Sequence, residues 1–167
     1  MDHPIKDISA DAKFQLIMDT LVACYGSLVM PNFSKIYATM AGPLHRKLVA
    51  DLRGKGVDVL ETTDENDDVS TQLVAARSGD EVSLGLSGVG PFATVIHQGE
   101  DGHYSWTTQP DKGPTPLTQL VATLVEQAGF QLLARDVVTR TITMNRPDGS
   151  TKATLYQALF TDTDRVP

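Results

Sequence analysis

Two histidines bracket a short acidic turn: His97 and His103 flank Gln98-Gly99-Glu100-Asp101-Gly102. Imidazole nitrogens and carboxylates are ligands that zinc and iron accept, and histidines at the two ends of a hairpin can be brought together. Five intervening residues permit a shared sheet face without requiring one, and solvated turn histidines are the simpler alternative. A small enzyme or metal-dependent site around His97/His103 is therefore the second functional reading. No catalytic residue, resident metal or other cofactor is expected.

Other motif-like stretches fail on their spacing. Asp64-Glu65-Asn66-Asp67-Asp68 clusters hard oxygen donors, but it lacks the alternating ligands, central glycine and terminal glutamate of a calcium loop. Gly85-Leu86-Ser87-Gly88-Val89-Gly90-Pro91 has Val89 where a nucleophile elbow needs glycine. The residues after it read as strand, whereas a phosphate loop opens a helix. These glycines suit a bulge or close strand packing. Cys24 is the only cysteine and sits near an apolar stripe, as an inert thiol would. His45 stands beside Arg46 and Lys47 and is expected on a polar helix face, and His3 lies in the leading segment.

Charge is the clearest non-uniformity. The 167 residues carry a net charge of −7. Residues 1–60 carry seven basic and six acidic side chains, and residues 112–167 six and five. Residues 61–111 hold one basic side chain, Arg77, against ten acidic ones, a local balance of −9. A chain of this sign is a poor match for nucleic acid or an anionic membrane, so neither is expected as a partner. It matches a basic protein surface, whose encounter it would speed. Tyr104 and Trp106 alternate inside the acidic segment, as core aromatics or as exposed anchors. The candidate partner-binding residues are Asp67, Asp68, Asp80, Glu81, Glu100, Asp101, Tyr104 and Trp106. The leading functional reading is a non-catalytic acidic protein-binding domain that occupies a basic surface of a partner, a toxin or an enzyme, as immunity proteins and inhibitors do. A structural subunit or homo-oligomer is a third reading, and the oligomeric state is left open. The start has no apolar signal segment and no run is long enough to span a bilayer, so a cytoplasmic location is expected.

The elements that position these residues follow from periodicity. Phe14, Ile17, Leu21, Tyr25 and Leu28 recur at helical spacing, with Ser9 as a cap, Asp11 in the first turn and Pro31-Asn32 as the stop. A short stripe, Phe33, Ile36, Tyr37 and Met40, leads to a third helix that Pro43 opens and that carries Leu44, Leu48 and Leu52. After Gly56 the period changes to two: Val57 and Val59, then Val69 to Ala76, Val82 to Leu86, Phe92 to Ile96, and Tyr104 with Trp106. Thr115-Pro116 starts another helix over Leu117, Leu120, Val121, Leu124 and Val125, and Gly129 ends it. Phe130 to Leu133 re-enters the sheet. Val138 to Met144 and Ala153 to Leu159 read as a hairpin about Asp148-Gly149, and a loose polar tail follows Thr161. Strands come in runs, so the fold class is α+β: N-terminal helices, an antiparallel β-meander, one further helix and a C-terminal β-hairpin in the same sheet. One domain over 1–167 is expected, with a helical part at 1–56, the acidic meander at 57–108 and the helix plus hairpin at 115–160.

Overall fold

The computed structural model describes residues 10–163 and 165–167; Ser9 and His3 lie outside them. Helix α1 (Ala10–Tyr25) turns Ile17, Leu21 and Tyr25 inward. It stops at Tyr25, ahead of Pro31, because Gly26 takes φ +74° and returns its N–H to the Val22 carbonyl. A left-handed glycine is a low-cost way to end a helix, and it leaves Leu28 outside the stripe. Helices α2 (Ser34–Met40) and α3 (Pro43–Gly54) follow, with Pro43 in the first turn of α3.

Strands β1 (Asp58–Glu61), β2 (Ser70–Arg77), β3 (Asp80–Ser87), β4 (Phe92–Gln98) and β5 (Tyr104–Trp106) form the expected antiparallel meander in sequential order. The β2–β3 turn is Ser78-Gly79, with φ of 54° and 81°. Two positive φ values match the twist of a tight hairpin. Helix α4 (Pro116–Gln127) is capped by the Thr115 hydroxyl, which accepts the Thr118 N–H. The chain then returns as β6 (Gln131–Leu132), parallel to β4.

Alternation along the strands gives the sheet two different faces. Leu73, Ala75, Val82, Leu84, Leu86, Ala93 and Val95 form one, buried with Leu48 and Leu52 of α3 and Leu117, Val121 and Val125 of α4. The opposite face is covered at one end only. There the Ser70 and Ser87 hydroxyls donate to the carbonyls of Phe160 and Leu159, each at 2.7 Å. A second core gathers there from α1, Ile36, Phe92 and the C-terminal elements. The glycines of residues 85–90 serve close packing. A Cβ on Gly88 would sit 2.6 Å from Ile36 Cγ2 and 2.9 Å from the Val69 carbonyl oxygen, and one on Gly85 would sit 3.2 Å from the Phe160 ring.

The C-terminal quarter departs from expectation. Residues Arg135–Val138 form a short helix, α5, so the strand expected from Val138 is confined to β7 (Thr141–Thr143). Its partner β8 covers only Lys152–Thr154, and the chain then coils into α6 (Leu155–Leu159) where a continued strand was expected. A capping box explains the change. The Thr154 hydroxyl accepts the Gln157 N–H, and the Gln157 side chain accepts the Thr154 N–H. The β7–β8 hairpin forms its own two-stranded sheet and does not extend the meander. The tail is also tied down. The Pro167 carbonyl accepts from Trp106 Nε1 and from Arg135 Nε, and Thr161 bridges to Asp68. Among the described residues no helix is long and apolar enough to cross a membrane.

Candidate functional site: the open face of the meander

Cross-strand partners in a sheet project to the same face, so register alone assembles a surface. Leu60 pairs with Val74, Val74 with Ser83, Ser83 with Ile96, and Ile96 with Trp106. That is one continuous row across five strands. In the next row Asp58 pairs with Ala76 and Ala76 with Glu81, and Gln98 pairs with Tyr104. The C-terminal elements cover the Ile96–Trp106 end of the first row, where the Tyr156 ring and the Pro167 carbonyl meet Trp106, and stop short of the rest. They leave a groove of about 800 Å³ whose floor includes Val74, Ser83 and Ile96 and whose rim includes Glu81, Glu100, Tyr104 and Tyr156. Leu60 is 65% and Tyr104 51% exposed beside it. Asp80, Glu81 and Glu100 all line the groove, and no Lys or Arg is among the described residues that do.

Of the eight residues singled out by sequence, four line this groove together: Asp80, Glu81, Glu100 and Tyr104. Asp101 is exposed in the β4–β5 turn next to Glu100. Trp106 belongs to the same face but is half-buried, its ring 6.0 Å from that of Tyr156. It braces the C-terminal tail instead of standing free as an anchor. Asp67 and Asp68 lie beyond the opposite end of β2, in a different cavity, and Asp68 is buried at 7% exposure.

Asp80 is held more firmly than its neighbours. Its carboxylate accepts from the Thr115 hydroxyl, from His97 Nε2 at 2.9 Å and from the Glu81 N–H. Burial pulls this carboxyl up, but the bonds from Thr115 and His97 outweigh it and leave Asp80 below the ordinary carboxylate value. The order of groups is hydroxyl, carboxylate, imidazole. A hydrolytic triad needs the imidazole between the other two, where it can take the nucleophile's proton. Thr115 is in addition committed to capping α4. This network therefore pins the start of α4 to the β2–β3 turn, and it has no geometry for nucleophilic catalysis.

His97 faces Asp80 and has not joined His103 in a metal site. The carboxylate of Asp101 is turned back onto the His103 N–H. Among the described residues no three His, Cys, Asp or Glu side chains are placed to hold a metal ion. His45 corrects another expectation: it is 2% exposed, with Nδ1 2.7 Å from the Thr71 hydroxyl and its ring against Phe130. Burial lowers its pKa, and a bond to the Ser87 backbone only partly opposes that. Cys24 is half-buried and its thiol is pushed up by that burial, as an inert cysteine would be.

No family model matches the chain, nor does any curated protein or any solved structure. Sequence reading missed exposed Leu60 and the groove floor of Val74, Ser83 and the buried Ile96. Their alternation was visible, but which face is uncovered depends on how far the C-terminal elements reach across the sheet.

Proposed function

We propose that this protein is a non-catalytic binding domain that engages a basic surface of a partner protein through the open face of its meander, as an immunity protein or inhibitor blocks a toxin or enzyme. The observation that carries the reading is the groove itself. Exposed Leu60 and Tyr104 flank a floor that is partly apolar, and the carboxylates of Asp80, Glu81 and Glu100 along it meet no Lys or Arg among the described residues that line it. Apolar area with aromatic anchors supplies affinity, and a charged rim of one sign supplies steering and selects against acidic partners. A cytoplasmic setting fits a chain whose only cysteine is a half-buried thiol.

The test is location-specific charge reversal. A partner captured at low salt from the source cells should bind the Glu81→Lys/Glu100→Lys variant about tenfold or more weakly. A Glu126→Lys/Asp136→Lys variant, with the same change in net charge on exposed positions elsewhere, should stay within about twofold of wild type. Equal losses in both variants, or no basic partner recovered at any salt, would contradict the proposal.

A further inference from the structure

The cavity that receives Asp67 and Asp68 has a chemistry of its own. It is bounded by α1, α2, the β1–β2 loop and the β7–β8 hairpin, and its volume is about 170 Å³. Tyr25, Phe33 and Tyr37 supply aromatic surface to its wall. Tyr25 is fixed by the bond from its hydroxyl to the Ala158 carbonyl and by an edge contact with Phe33 at 5.4 Å, whereas Tyr37 is half-exposed at the mouth.

The polar lining is unbalanced. Arg146 is on the wall, but its guanidinium is engaged by Asp162 and Asp148. Three carboxylates, Asp67, Asp68 and Asp162, line the cavity against one cation, Arg146, which leaves an acidic excess among the described residues. Asp68 reaches the cavity from a buried position, and only its Oδ2 has a partner, the Asp64 N–H at 2.7 Å. The loop carrying both acids is stitched from within by the Asp67 and Asp68 N–H bonds to the Asp64 carbonyl, and to the C-terminal segment by the Asp162 N–H bond to the Asp67 carbonyl. Aromatic faces beside an excess of carboxylates attract organic cations, by the ring quadrupole and by charge-assisted hydrogen bonds.

Size narrows the ligand. Cavities that take whole drug-like ligands run to about 300–1,000 Å³, whereas about 150 Å³ accommodates a benzene-sized group. The geometry points to a socket for one ammonium or guanidinium group on a short alkyl stem, the side chain of a Lys or Arg presented by the partner protein. This rests on the reading of a basic partner and adds a defined anchor at the far end of the sheet. Exposed Val29 and Met30 stand on the neighbouring loop, whose Val29 carbonyl accepts from Asn145 of the cavity wall. They would give the stem's backbone an apolar shoulder.

The experiment is an NMR titration of the whole protein at low salt with N-acetyl-argininamide and N-acetyl-lysinamide, and with uncharged N-acetyl-norleucinamide as control. The cationic probes should bind with Kd on the order of 1 mM and perturb the amides of residues 66–69 and 145–146. The Asp68→Asn variant should weaken them about tenfold, and Tyr37→Leu, at a half-exposed rim position that tolerates change, roughly two- to fivefold. Both variants should also weaken capture of the partner. Norleucinamide binding as well as the cations would overturn the socket and leave the open-face reading standing. Probe binding lost in Asp68→Asn with partner binding intact would overturn the partner assignment in favour of a free amine. Glu81→Lys/Glu100→Lys should leave probe binding unchanged, which keeps failure at the sheet face separate from failure at the socket.

Discussion

His45 shows how a single rotation of a helix decides a residue's role. Leu44, Leu48 and Leu52 give one stripe on α3, but His45, Leu48 and Leu52 give an equally regular one, and the second is the buried set while Leu44 is exposed. The basic neighbours Arg46 and Lys47 made the polar assignment look natural, and nothing local reveals the Thr71 hydroxyl waiting for Nδ1. The energetic consequence has a sign. The folded protein holds the imidazole below its ordinary value of 6.5, so the unfolded chain binds the proton first. Stability is fully present above that value and falls as pH drops below it, levelling once the folded group also protonates. Urea unfolding at pH 7.5 and 5.5 should show wild type losing stability between them. His45→Gln should cost about 2 kcal/mol at the higher pH and flatten the dependence, since the buried Thr71 hydroxyl loses its partner. An unchanged pH dependence in the variant would assign the effect to other groups.

At the scale of elements, the meander was legible and the C-terminal quarter was not. The period-two pattern of β2, β3 and β4 survives because one face of each strand is buried against α3 and α4, and a one-residue slip would expose the whole set. Ser78-Gly79 and Thr115-Pro116 are local signals that carry their own geometry. Residues 153–159 mislead because Ala153, Leu155, Gln157 and Leu159 alternate, yet the buried residues of α6 are Leu155, Tyr156, Ala158 and Leu159, a helical spacing. The signal that could have decided it is Thr154 followed three residues later by Gln157. Removing it should matter accordingly. Thr154→Ala is expected to lower stability by about 1 kcal/mol through loss of the cap. Because α6 carries Tyr156 to the groove, the same substitution should alter tryptophan emission from Trp106, which packs on that ring. Unaltered stability and emission would mean that α6 is held by its packing alone.

Across the whole molecule, the acidic segment resolves into two regions at opposite ends of β2. That strand is eight residues long, and at the rise of an extended chain the ends are separated by about 25 Å. A standard protein interface of about 800 Å² per side is wide enough to cover that span. A small molecule is not. The sequence announced the charge but not its division, because Asp67-Asp68 and Asp80-Glu81 are only a dozen residues apart along the chain and a full strand separates them in space. Glu81, Glu100 and Asp101 stand exposed at the turns, where salt screens them, whereas Asp68 is buried, where salt screens it less.

The most direct measurement is therefore the association rate with the captured partner as a function of ionic strength, taken alongside the dissociation rate. Raising salt from about 0.05 to 0.5 M shortens the screening length severalfold, and association should slow about tenfold or more while dissociation changes much less. An association rate that stays flat across that range would contradict a charge-guided binding face.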